Sequence, residues 1–141
     1  MASKIGFYSE DVPFRLPDIR IKRQWLEKVI ESEGKIAGEI SYIFCSDDYL
    51  YKMNVQYLNH DTLTDVITFD YTEANKISGD IFISIPRVEE NASDFGKTFA
   101  DELNRVMVHG ILHLCGYKDK TTKDEKIMRL KEDEKLELLK M

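Results

Sequence analysis

Cysteine is scarce in this chain, with only Cys45 and Cys115 among 141 residues. Two thiols cannot build the disulfide framework that holds small secreted domains together, so a reducing, cytoplasmic location is expected. Long apolar runs are missing too. No stretch approaches the roughly 20 residues of a membrane-spanning helix, and no membrane partner is expected. Met1 to Asp11 carries charges throughout and no apolar run, unlike a secretory leader. Repeats, low-complexity tracts and Gly/Ser linkers are absent as well. The chain length suits one core, so residues 1–141 are read as a single domain; the oligomeric state is not legible in the sequence, with a monomer favoured. There is no basic excess: the formal net charge is −6 and the sequence pI about 5.1. That argues against bulk electrostatic binding to nucleic acid and leaves room only for a local basic groove.

What is present is ordinary for a soluble globular protein, with 43% hydrophobic and 33% charged residues. Lys4 to Tyr8 alternates weakly and reads as a first strand. From Pro17 to Glu33, residues Ile21, Trp25, Leu26, Val29 and Ile30 keep helical period, and Gly34 ends the run. Ala37 to Cys45 reads as a strand. Ser46 then caps a helix with Asp47 and Asp48 in its first turn and an apolar face of Leu50, Met53 and Tyr57. Strands are expected at Val66 to Tyr71 and Asp80 to Ile85, joined through Glu73 to Gly79. Pro86 suits the opening of a short helix toward Phe95-Gly96. Thr98 with Asp101 resembles a capping pair for the next helix, and Thr122 with Glu125 another for a last amphipathic helix ending near Met141. Strands and helices mix without strict alternation. The expected class is α+β, a small mixed β-sheet packed with about five helices.

Histidine is rare, three in the chain, and two fall four residues apart in His109-Gly110-Ile111-Leu112-His113. A helix turns about 100° per residue, so positions i and i+4 share a face and both imidazoles can reach one metal ion. Gly116 suits a helix end in the left-handed conformation. Asp119 is the first acidic side chain after the turn that can close on the same ion. Two histidines, a carboxylate and a fourth position left for water form the arrangement of a catalytic zinc site. The plainer alternative is two helix histidines bonded to backbone or carboxylates. Leu103, Val106, Met107, Gly110, Ile111 and Leu114 form the apolar stripe of this helix, and the histidines flank it at the edge a cleft would take. Cys115, about 200° around the helix from His113, is read as a small buried hydrophobe rather than a ligand.

The other dense region is Asn54-Val55-Gln56-Tyr57-Leu58-Asn59-His60-Asp61-Thr62-Leu63-Thr64-Asp65-Val66-Ile67-Thr68-Phe69. It reads as a helix end, a polar loop and a strand. Asp65 can cap, carry a charge into the cleft or hold the loop, the last being the simplest role; His60 is read as an exposed loop residue. Taken together, the two regions resemble the YbeY-type rRNA maturation endoribonucleases. Asn54, Tyr57, Asp61, Thr64, Asp65, Val66, Ile67, Thr68 and Phe69 match the family's first motif. His109, Gly110, Leu112, His113, Leu114, Gly116 and Tyr117 match its second, with Gly79-Asp80-Ile81 between them and Met128 beyond. Two departures stand out. Asp119, preceded by Lys118, sits where the family usually has a third histidine, and Leu58 where it usually has an arginine.

The resemblance implies a metal-dependent, single-strand-specific endoribonuclease acting in late 16S rRNA maturation and ribosome quality control. It implies a metal-binding helix like that of zinc metallohydrolases, and one divalent ion per chain, zinc first. His109, His113 and Asp119 would be the ligands and a metal-bound water a participant, with the general base unassigned. The implied partners are single-stranded or ribosomal RNA and the small ribosomal subunit or its assembly factors. Arg87, Arg105, Lys118 and Lys120 are candidates to hold the phosphodiester. The alternatives are a non-catalytic, metal-stabilised ribosome-assembly factor and, more distantly, a metallopeptidase. Peptidases of the His-Glu-x-x-His type carry their base beside the first histidine, where this chain has Gly110.

Overall fold

The structure, a computed structural model, describes residues 4–58 and 64–140. Its elements run β1 (Ile5–Ser9), α1 (Ile19–Ser32), β2 (Ile36–Cys45), α2 (Asp47–Leu58), β3 (Val66–Asp70), β4 (Lys76–Ser84), α3 (Ile85–Asp94), α4 (Phe99–Leu114) and α5 (Thr122–Leu139). The four strands form one mixed sheet in the order β1-β2-β4-β3. β1 and β2 are parallel, as are β2 and β4, while β3 runs antiparallel to β4 at the sheet edge. The α+β reading holds.

Alternation along the strands separates two apolar layers. Ile40, Tyr42 and Phe44 of β2 and Ile77, Ile81 and Ile83 of β4 point to the main core, where Trp25, Leu26, Val29 and Ile30 of α1 meet the apolar stripe of α4. The opposite face carries a smaller cluster of Cys45, Leu50 and Ile67, with Tyr49, Met53, Phe69 and Phe82 packed around it beneath α2. On β3 this leaves Val66, Thr68 and Asp70 directed to the α4 side, where a cleft opens. Gly110 has a steric reason: a Cβ there would lie 2.9 Å from the Ile81 side chain, so α4 approaches the sheet at this point more closely than any larger residue allows.

Two local expectations need correction. β4 begins at Lys76, inside the stretch expected to be a connecting loop. Ile36 and Ala37 of β2 pair with Lys76 and Ile77, so a non-local ladder extends the strand beyond what its own sequence suggests. The last helix is capped by Thr121, not Thr122: the Asp124 amide donates to Thr121 Oγ1 at 3.0 Å, and Thr122 is already helical. The other two caps stand as expected, with the Asp101 amide on Thr98 Oγ1 at 3.1 Å and the Tyr49 amide on Ser46 Oγ at 3.0 Å. Each such cap contributes on the order of 1 kcal/mol.

Candidate metal centre and cleft

Helix α4 supplies the first half of the site. Leu103, Met107, Ile111 and Leu114 are buried in the main core. That fixes the helix rotation and leaves His109 and His113, one turn apart, on its rim. The chain leaves α4 through a Schellman turn: the Gly116 amide donates to the His113 carbonyl and the Tyr117 amide to that of Leu112, both at 3.0 Å, with Gly116 at φ +107°. This reversal carries Asp119 back over the histidines. Tyr117 secures it by donating from its hydroxyl to Glu33 Oε1 at 2.7 Å. Glu33 is held in turn by Lys135 Nζ at 2.8 Å.

The result is a triangle of donor atoms. His109 Nε2 and His113 Nε2 are 3.0 Å apart, and Asp119 Oδ2 lies 3.3 Å from His113 Nε2 and 3.4 Å from His109 Nε2. Ligands about 2.0–2.1 Å from a tetrahedral ion stand about 3.3–3.4 Å from one another, so the three residues fit the donor set of one divalent cation. All three sequence-nominated ligands are therefore brought together, in a group able to hold a metal.

A fourth residue, which sequence reasoning missed, completes the arrangement. Glu132 Oε2 of α5 lies 2.6 Å from His109 Nδ1, and the carboxylate is almost fully buried. A carboxylate only accepts, so Nδ1 carries the proton, and His109 Nε2 presents its lone pair to the triangle. Burial works against an imidazolium at His109, but the Glu132 hydrogen bond and charge outweigh it and raise the pKa. Burial likewise pushes Glu132 upward, and its bonds to His109 and Arg105 overcome this and hold the carboxyl below its usual range. The sequence offered little signal for it: Met128, Glu132 and Lys135 share helical spacing, but only the structure shows that face of α5 to be the buried one, where an acid needs a partner.

The triangle opens onto a cleft of about 690 Å³ between α4, α5 and edge strand β3. Asp65 lines the far wall. Its carbonyl accepts from the Ser84 amide at 2.9 Å and its carboxylate from Asn91 Nδ2 at 3.4 Å, so it both holds the loop and faces the cleft. Glu102, on α4 two turns before His109, is 7% exposed and lines the same space. Burial raises the carboxyl pKa of both, and each further raises or is raised by a neighbouring acid. Neither cysteine competes as a ligand: burial pushes the thiols of Cys45 and Cys115 up to about 12 and about 11, so both keep their protons.

The nominated phosphate contacts fare differently. Arg105 lines the cleft, but its guanidinium is bound to Glu132 and Asp133 at 2.7 and 2.5 Å. Arg87 lies outside the lining and pairs with Asp47 at 2.6 Å and Glu90 at 3.2 Å. Lys118 and Lys120 are exposed on the turn after α4 and do not line the cleft. Leu58 does line it. His60 and Asp61 fall outside the described residues.

The family described as Endoribonuclease YbeY matches residues 13–140. A protein named Endoribonuclease YbeY from Flavobacterium johnsoniae is 58% identical over 92% of this chain and 93% of its own length. One of the same name from Porphyromonas gingivalis is 48% identical over 97% of this chain and 91% of its own. A solution structure of a Thermotoga maritima protein, 31% identical, superposes with a TM-score of 0.66 and covers 96% of this chain and 88% of that one.

Proposed function

The chain belongs to the endoribonuclease YbeY family, and from that premise we propose that it is a metal-dependent, single-strand-specific endoribonuclease acting in ribosomal RNA processing and ribosome quality control. The observation that carries the reading is the triangle of His109, His113 and Asp119 at the mouth of a cleft large enough for a splayed nucleotide. Single-stranded RNA can swing its bases out of stack into such a space, whereas paired RNA presents only a groove surface. A divalent ion, zinc first, would be held by His109, His113 and Asp119, where it supplies Lewis acidity toward water and the phosphoryl group.

The remaining work falls to the protein. Glu132 orients His109 and fixes its tautomer, and Arg105 holds Glu132 in place through the partly buried ion pair at 2.7 Å. Asp65 and Glu102 are two of the cleft carboxyl groups outside the donor triangle. Burial keeps their protons to higher pH than for an ordinary acid, which suits them to move a proton at the attacking or leaving oxygen. The whole of residues 1–141 forms one such domain, working in the cytoplasm as a monomer beside the small ribosomal subunit. No helix among the described residues is long and apolar enough to cross a membrane.

Peptide hydrolysis has no support. Gly110 stands where a peptidase base would, and it faces Ile81 in the core. The test is to incubate purified protein with single-stranded RNA, the same RNA annealed to its complement, and casein, each with and without chelator. Chelator-sensitive cleavage of the single strand alone is expected. Metal binding with no RNA cleavage would favour the non-catalytic assembly factor, and casein cleavage the peptidase.

A further inference from the structure

Among the described residues the cleft lining is acidic, with Asp65, Asp70, Glu102, Asp119 and Glu132 against Arg105 and Arg129. A polyanionic strand entering it needs a positive side chain free to meet a phosphate. Arg105 is not free: Nη1 donates to Glu132 Oε1 at 2.7 Å and Nη2 to Asp133 Oδ1 at 2.5 Å. Those are the very carboxylates that helical spacing offers Arg129, at i+3 and i+4 along α5. Arg105, reaching across from α4, takes both. Glu125, at i−4, does not replace them: among the described residues no carboxylate lies within ion-pair distance of Arg129.

Arg129 is also well placed. It is exposed on α5 and lines two hollows at once, the cleft and a neighbouring groove of about 780 Å³ along the first half of α5. His109, Asp119 and Glu132 line both hollows as well. The two therefore run into each other at the donor triangle, with Arg129 at the junction and Lys126 farther along the groove. Leu58 brings no charge to the cleft.

We infer that Arg129 is a phosphodiester-binding residue: its guanidinium grips a backbone phosphate of single-stranded RNA beside the triangle, and the strand continues from the cleft into the α5 groove. The planar guanidinium fork matches a phosphate through paired hydrogen bonds. This assignment rests on the endoribonuclease reading and adds to it the path of the substrate and the residue that holds it.

The experiment measures initial rates on a fluorogenic single-stranded RNA between about 50 and 200 mM salt for wild type, Arg129→Gln, Arg129→Lys and Arg105→Gln. In Arg129→Gln, KM should rise about tenfold, the low end for a charged hydrogen bond. Its kcat should stay within about twofold, and the slope of log KM against log salt should fall by about 0.7, the share of one single-strand phosphate. Arg129→Lys should recover most of the slope, and thermal stability should change little, because the side chain makes no ion pair and acts on the Glu102 carboxyl only at longer range. Arg105→Gln should instead lower stability and metal affinity. An unchanged KM and salt slope in Arg129→Gln, with wild type cleaving normally, overturns the Arg129 assignment alone. A wild-type protein that cleaves no single-stranded RNA overturns the endoribonuclease reading and this inference with it.

Discussion

Glu132 Oε2 lies 2.6 Å from His109 Nδ1, a residue 23 positions away in sequence, and the bond joins α5 to α4. A carboxylate behind a ligating imidazole fixes which nitrogen faces the ion and makes it more basic. Glu132→Gln keeps the shape but removes the charge, and its amide can donate to Nδ1 and so stabilise the wrong tautomer. Zinc affinity, measured by competition with a chromophoric chelator, should fall about 10- to 100-fold. An affinity equal to wild type would mean that Glu132 only ties α5 to α4.

Asp119 brings a negative charge where a third imidazole would bring none. Asp119→Ala should weaken zinc binding by about tenfold or more, because two histidines remain. Asp119→His should tighten zinc and sharpen the preference for zinc over manganese, since carboxylate oxygen suits manganese better than imidazole does. Competition titrations with both metals on the three proteins check this. If Asp119→Ala holds zinc as tightly as wild type, the third donor lies elsewhere.

Asp47 and Arg87 give a pH test remote from the cleft. The Arg87 hydrogen bond holds the Asp47 carboxyl below its usual value of 3.8, against the opposing effect of burial. A carboxyl with a depressed folded-state pKa adds stability above its unfolded pKa and loses it as pH falls through the folded one. Asp47→Asn should therefore be less stable than wild type at neutral pH, by on the order of 1 kcal/mol for this partly buried pair. The gap should close below about pH 3.8. Denaturant titrations at several pH values read the difference directly, and a gap that stays constant into acid would contradict the ion pair's role.

The parts of the site that were legible in the sequence are those fixed by local geometry. His109 and His113 share a helix, and Gly116 and Asp119 follow within one turn, so spacing alone places all three donors. Glu132 was hidden because its partner lies on another helix and its neighbours Asp133 and Glu134 make the segment look like a solvated acidic face. The start of β4 was hidden because the strand from Lys76 exists through its ladder to β2. The α5 cap failed for a narrower reason. Thr121 with Asp124 and Thr122 with Glu125 satisfy the same capping pattern one residue apart, and only the backbone, extended at Thr121, chooses between them. Asp65 was readable as a loop anchor, but its second role facing the cleft depends on α3 and α4 arriving across from it.

If the His109, His113 and Asp119 cluster holds the ion on which RNA cleavage depends, metal and activity should be lost and regained together. The most direct measurement takes wild type and His113→Ala, strips both with chelator, adds back one equivalent of zinc, and records bound metal and single-strand RNA cleavage on the same samples. Wild type should regain one ion per chain together with cleavage. His113→Ala should stay folded, because its side chain lies outside the core, yet regain neither. Equal metal content and equal cleavage in the two proteins would contradict the cluster's role.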